Sequence, residues 1–220
     1  MNILLKRDYI NLKTVNVTSA LIIPLGFILS IPPFAISLGL LLHVLLVGVF
    51  YSDHRSSVNR FMISLPIERS ALVISRYLIM IMIWLGIILY QFLWGHFFDY
   101  FVPYPVFVFG WKELLAILSL GLLILAVCVP LYYLFNSFII PTIIIFSCYF
   151  IGFIFSIDAL VNISGMSTEI IFNDLDQWTV PLIESIIPVY PFIILPSLGI
   201  CLYYCSMKVS ETIIRTKKII

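Results

Sequence analysis

Apolar residues fill this chain in long blocks, and short polar stretches separate the blocks. A helix needs about 20 such residues to cross the hydrocarbon of a bilayer. Six blocks approach that length: Val15 to Ile31, Pro33 to Tyr51, Leu72 to Gly95, Leu114 to Phe135, Phe138 to Ile157, and Ile187 to Met207. They are too long for barrel strands, which run about 9–11 residues, and they lack the alternation of strands. The pattern predicts an all-α membrane protein with six transmembrane helices in one domain over residues 1–220. Composition strengthens this: 62% of residues are hydrophobic and 10% charged, where a soluble domain is about half apolar and about a quarter charged.

Charge placement predicts orientation. Lys6, Arg7 and Lys13 precede the first block. Arg55, Arg60, Arg69 and Arg76 lie between the second and third, and Lys208, Arg215, Lys217 and Lys218 follow the sixth. Six crossings bring these groups to one side, with Lys112 alone opposite. Basic residues concentrate on the cytoplasmic side, so both termini are expected there. The stretch 158–187 carries Asp158, Glu169, Asp174, Asp176 and Glu184 without Lys or Arg, and is expected to be an extracellular loop. Its Ile170, Ile171, Phe172, Trp178 and Leu182 are expected to dip into the outer leaflet. No removable signal peptide is expected, because MNILLKRDYINLKTVN has no apolar run ahead of its charges. Pro24, Pro130, Pro141, Pro191 and Pro196 interrupt the blocks and are candidate kinks.

Candidate chemistry is sparse. Cys128, Cys148, Cys201 and Cys205 fall inside apolar blocks without metal-ligand spacing and read as small hydrophobes. No P-loop pattern is present, so ATP hydrolysis through such a loop is not expected of this chain, nor is any metal or cofactor. The Asp174–Asp176 pair lacks the rest of a calcium loop. An ionisable group inside a membrane is a functional candidate. His43 is one, with Tyr90 and Gln91 as polar company and Trp94 nearby in sequence; together they mark a possible substrate path. The alternative is a neutral His43 hydrogen-bonded between helices.

The polar segment between the second and third blocks, residues 52–70, reads as a short amphipathic helix and a corner. Val58, Phe61, Met62 and Leu65 make one apolar stripe. Pro66 ends that helix and can open the next, with Glu68 in its first turn. Such a segment can rest on the inner leaflet or serve as a knob for a soluble partner. The residues alone leave both open.

NRFMISLPIERSALVISRYL, Asn59 to Leu78, resembles the signature of small six-span ABC-2 type permeases. Ser64, Leu65, Pro66, Ile67, Arg69, Val73, Ser75, Arg76 and Tyr77 match its pattern, and Glu68 stands at a variable position. The resemblance implies a permease without ATPase activity, paired with a separate ABC ATPase subunit that carries ATP and Mg. It implies a coupling helix that docks on that subunit through Arg55, Val58, Asn59, Arg60, Phe61, Met62, Ser64, Leu65, Pro66, Glu68 and Arg69. It also implies an amphipathic elbow helix over about Asn2 to Lys13, within residues 1–14, and a second permease copy, identical or a sister chain. The setting would be a bacterial cell membrane. Within the family, the chain is similar to permeases of phenol-soluble modulin and antimicrobial-peptide exporters, implying amphipathic or hydrophobic cargo and no nucleic acid. Two other classes compete. One is a substrate-capture subunit of an energy-coupling vitamin uptake system. Those engage their partner through small-residue patches, whereas the first block has Ala20 and Gly26 without a repeated Ala-x-x-x-Ala. The other is a membrane assembly protein with no transport role.

Overall fold

The structure is a computed structural model that describes residues 9, 12–29, 31–56, 69–101, 107–135, 137–165 and 176–216. Among the described residues there is no strand. Helix α1 spans Lys13–Ile28. After a tight turn, a π-helical stretch, Ala35–Leu41, leads into α2, Leu42–Ser56. Helices α3 (Arg69–Phe101), α4 (Trp111–Leu134) and α5 (Ile139–Ser164) follow. A short helix, α6 (Thr179–Ile186), precedes the last, α7 (Pro191–Thr216).

Four of these, α3, α4, α5 and α7, are long and apolar enough to cross a membrane. Lys13–Ile28 and Ala35–Tyr51 are apolar but shorter, and they occupy the places of the first two expected spans. The two prolines between them explain the sharp reversal. Neither Pro32 nor Pro33 has an amide to donate, a loss that costs nothing in the first turn of a helix. The same logic revises two expected kinks. Pro191 opens α7, and Pro141 sits in the first turn of α5. Pro24, Pro130 and Pro196 do fall inside α1, α4 and α7. Two helical stretches also differ from the expected outer loop. Helix α5 continues to Ser164 and ends on Gly165, whose φ of 66° is the left-handed cap that glycine adopts without strain. Thr179–Ile186 forms α6, which packs against α4 and α5.

Helix α4 is the centre of the packing. It packs against α2, α3, α5, α6 and α7, most extensively against α7. Small residues make that contact close. A Cβ on Gly199 of α7 would lie 3.1 Å from the Ser119 carbonyl oxygen of α4. Where lipid tails are as apolar as the side chains, such close approach is what favours one helix as a neighbour over lipid. On another face, Gly121 leaves the space that the fully buried Trp84 indole of α3 fills. The outer helices are different. Helix α5 buries Pro141 and Ile145 and exposes Ile143, Phe146, Phe150, Ile154 and Phe155. An apolar surface of that extent suits hydrocarbon rather than water.

Gly121→Ala puts a methyl group into the volume of the Trp84 ring. Overpacking of this kind costs about 1–3 kcal/mol. The expected outcome is a lower midpoint for loss of the monodisperse species when the detergent-solubilised protein is heated.

Candidate functional site

The helix starts and ends gather at two faces. At the first, the turn after α1 meets the lead into α4 and the segment before α6. The Phe34 and Phe109 rings meet edge to face at 5.3 Å. The Phe34 amide donates to Asp176 Oδ2 at 3.4 Å across 142 residues of sequence. At the opposite face, Phe50 of α2 stacks on Tyr132 of α4 at 4.1 Å, and His54 stacks on Phe138 at 5.5 Å.

Between the faces, polar side chains on apolar helices need partners, because no water is at hand to supply them. Gln91 of α3 is fully buried. Its Nε2 donates to the Pro33 carbonyl at 2.8 Å, and its Oε1 accepts from the Ser37 hydroxyl. Ser37 lies in the π-helical stretch, a form that recurs at functional positions. Tyr90, one residue earlier, points elsewhere and donates to the Ala20 carbonyl of α1 at 3.3 Å. Trp94 packs on Tyr90 and Phe98, and Phe98 stacks on Phe27.

His43 does not join this group. It faces α5, with its ring 5.6 Å from Phe146 and 5.8 Å from Tyr149, and its Nδ1 has no hydrogen-bond partner among the described residues. The four residues expected to line one path are therefore split. Tyr90, Gln91 and Trp94 lie between α3 and the α1–α2 hairpin, and His43 lies between α2 and α5. The sequence concealed the split, because the face that His43 of α2 presents is set by rotation about that helix axis, about 100° per residue, and turns it to Phe146 and Tyr149 of α5.

The root of α3 carries a second polar cluster. The Tyr77 hydroxyl lies 2.7 Å from Ser206 Oγ and 2.8 Å from Ser210 Oγ of α7. The Tyr203 hydroxyl donates back to the Tyr77 carbonyl at 2.6 Å. Next to it, buried Arg76 sets its guanidinium 5.7 Å from the centre of the Phe50 ring of α2. On α7, Lys208 reaches the buried carboxylate of Glu211 at 3.2 Å. The motif residues Arg76 and Tyr77 thus bind α3 to both α2 and α7.

Of the expected docking residues, Arg55 falls in the last turns of α2 and Arg69 opens α3. Val58, Asn59, Arg60, Phe61, Met62, Ser64, Leu65, Pro66 and Glu68 lie outside the described residues, as does the expected elbow apart from Tyr9, Leu12 and Lys13. Among the outer residues expected at the leaflet, Ile170, Ile171 and Phe172 lie outside the described residues, Leu182 lines a cavity beneath α6, and the Trp178 indole N–H is buried.

That cavity has a volume of about 670 Å³. The π-helical stretch, α4, α5 and α6 wall it, with Leu120, Ile124, Ile144 and Phe153 among the lining side chains and Asp176 and Thr179 at one end. Asp176 is 2% exposed, and burial pushes its carboxyl well above the usual carboxylate range, against a smaller pull downward from the Phe34 amide. Sequence reasoning passed over this residue, treating it as part of an incomplete calcium loop. Nothing local signals its burial, which depends on a partner in the first turn of a distant helix.

The fold defines a multi-pass helical membrane protein. The sequence profile described as ABC-2 family transporter protein matches residues 3–215. The chain belongs to the ABC-2 transporter family, as the membrane component of an ABC transporter. No curated protein and no solved structure matches it.

Two predictions test this geometry. Gln91→Leu and Ser37→Ala should each lower stability by about 1 kcal/mol, and their double variant by clearly less than the sum, because they remove one shared bond. Thermal unfolding of the three variants in detergent measures the coupling. For Asp176, the folded state holds the proton more tightly than the unfolded state. Stability contributed by this group therefore falls as pH rises above about 4, the unfolded carboxylate value. Asp176→Asn keeps an acceptor for the Phe34 amide and removes the titration. Its unfolding midpoint should exceed that of the wild type by a margin that widens with rising pH.

Proposed function

We propose that this chain is the permease subunit of an ABC exporter, driven by a separate ATPase subunit that engages residues 52–70. The observation that carries the reading is the double anchorage of α3 at its root. Arg76 against Phe50 and Tyr77 against Ser206 and Ser210 join α3 to α2 and α7 just beyond the proposed docking segment. Helices α2 and α3 flank that segment directly. A displacement imposed on it by closing ATPase subunits is carried into α2 and α3 together and passed to α7. The length of α3 supports this role. Its 33 residues reach about 50 Å, well beyond the roughly 30 Å of hydrocarbon.

All six apolar helices cross the bilayer in this reading, with both termini and the docking segment in the cytoplasm. The shorter α1 and the α2 hairpin cross by local thinning of the bilayer around them. The N-terminal elbow lies along the inner leaflet, and a second permease copy, identical or a sister chain, completes the translocation path. Tyr90, Gln91 and Trp94 face one side of that path and His43 another. The cargo is amphipathic peptide or another hydrophobic molecule, consistent with the aromatic surface of α3 to α5. The setting is a bacterial cell membrane. ATP and Mg are held by the partner. Family membership supports this reading over vitamin capture and over a purely assembling role.

Phe61→Ala combined with Met62→Ala should leave the permease folded and weaken ATPase capture about tenfold or more, as removal of interface anchors does. Affinity purification from native membranes in mild detergent, with quantification of the co-eluting ATPase, checks it. Undiminished co-elution overturns the docking assignment.

A further inference from the structure

The cavity beneath α6 combines features that transport through a path between two copies does not require. Its walls are hydrocarbon, and no Lys, Arg or His lines it among the described residues. One end nevertheless holds a buried carboxyl group. Asp176 makes one hydrogen bond among the described residues, the 3.4 Å contact from Phe34. A carboxylate has roughly four acceptor sites, so most of its capacity is unused. Three residues further along the chain, and lining the same cavity, the Thr179 hydroxyl is buried and has no partner among the described residues. The nearest ion pair on α6, Lys112 with Glu184 at 2.8 Å, is complete in itself. Two under-satisfied oxygen groups at the end of an apolar pocket are costly unless something donates to them.

We propose that this cavity binds a single-chain cationic amphiphile, with its primary amine hydrogen-bonded to the Asp176 carboxylate and the Thr179 hydroxyl and its tail lying between α4 and α5. Charge complementarity selects the guest. A primary ammonium offers three donors and, once bound, the counter-charge with which the buried carboxyl can ionise. A fatty acid brings no cation to let the buried carboxyl ionise, and a choline headgroup has no N–H to give. The volume suits the tail, since small-molecule sites are commonly about 300–1,000 Å³. Binding would also bring the Asp176 carboxyl back toward its ordinary ionisation, because a nearby cation favours the charged form. The site stands apart from the transport reading, since its occupancy is an equilibrium property measured without ATP or partner.

The test uses the full chain in phosphatidylcholine nanodiscs. Hexadecylamine with a diazirine on its tail is added, irradiated, and its adducts are mapped by mass spectrometry. Adducts should fall on the cavity-lining segments of α4 and α5 and be displaced by unlabelled hexadecylamine. Asp176→Asn should cut them about tenfold, the worth of a charge-assisted hydrogen bond. Gly152→Leu provides a second variant. A Cβ at this cavity-lining position of α5 meets nothing within 4 Å, so the larger side chain can enter the cavity and leave Asp176 untouched. It should reduce the adducts comparably, and it decides the matter if Asp176→Asn does not elute like the wild type. Hexadecanoic acid carrying the same diazirine should not label the cavity saturably. Equal labelling by amine and acid would show ordinary lipid filling and overturn the proposal. So would cavity labelling that persists in folded variants.

Discussion

A helix that begins away from water must find partners for its first polar groups, and that need organises one face of this molecule. The chain reverses at Pro32 and Pro33 and starts again in apolar surroundings. The Phe34 amide turns to Asp176, the Pro33 carbonyl to Gln91, and Gln91 in turn to Ser37. These bonds come from three separate parts of the sequence. Individually each contributes modestly, about 1 kcal/mol in water and often less between membrane helices. Leaving any of them unmade inside hydrocarbon would cost more than that. The constraint thus fixes where α3 and the segment before α6 must sit relative to the α1–α2 hairpin.

The opposite face depends on hydroxyls rather than on backbone ends. Tyr77 meets Ser206 and Ser210, which are one helical turn apart on α7, so both reach the same phenol. With Arg76 over Phe50, this closes the root of α3 from two directions. The centre between these faces is filled by apolar packing that only small residues permit, as at Gly121 beneath Trp84 and Gly199 against Ser119.

Much of the helical layout was legible in the sequence, because a run of hydrocarbon side chains longer than about 18 residues has few other uses. The long helices α3, α4, α5 and α7 lie where the apolar blocks do. The helix in the expected outer loop was not legible. Thr179–Ile186 is short and follows acidic residues, and its apolar side finds its place only against α4 and α5. The site residues divide along the same line. His43 and Gln91 stand out in sequence as polar groups in apolar blocks, yet their facing is set by rotation about each helix axis and by the π-helical stretch. Asp176 stood out least, since its burial arises from contact with a residue 142 positions away. Arg76 and Tyr77 were visible as parts of a motif, and their partners on α7 were not.

Among the ties of helix α3, hydrogen bonds hold it at Tyr77 and again at Gln91, about four turns and roughly 20 Å further along. Twisting it about its own axis would break both attachments at once, and sliding it lengthwise would shear them in the same sense. Swinging as a stiff oar, with its neighbours in tow, disturbs neither. With Tyr90 on Ala20 and Trp84 over Gly121 as further ties, these bonds favour a change of lean shared with the neighbouring helices, against the plane of the surrounding sheet of lipid, over twisting or sliding alone.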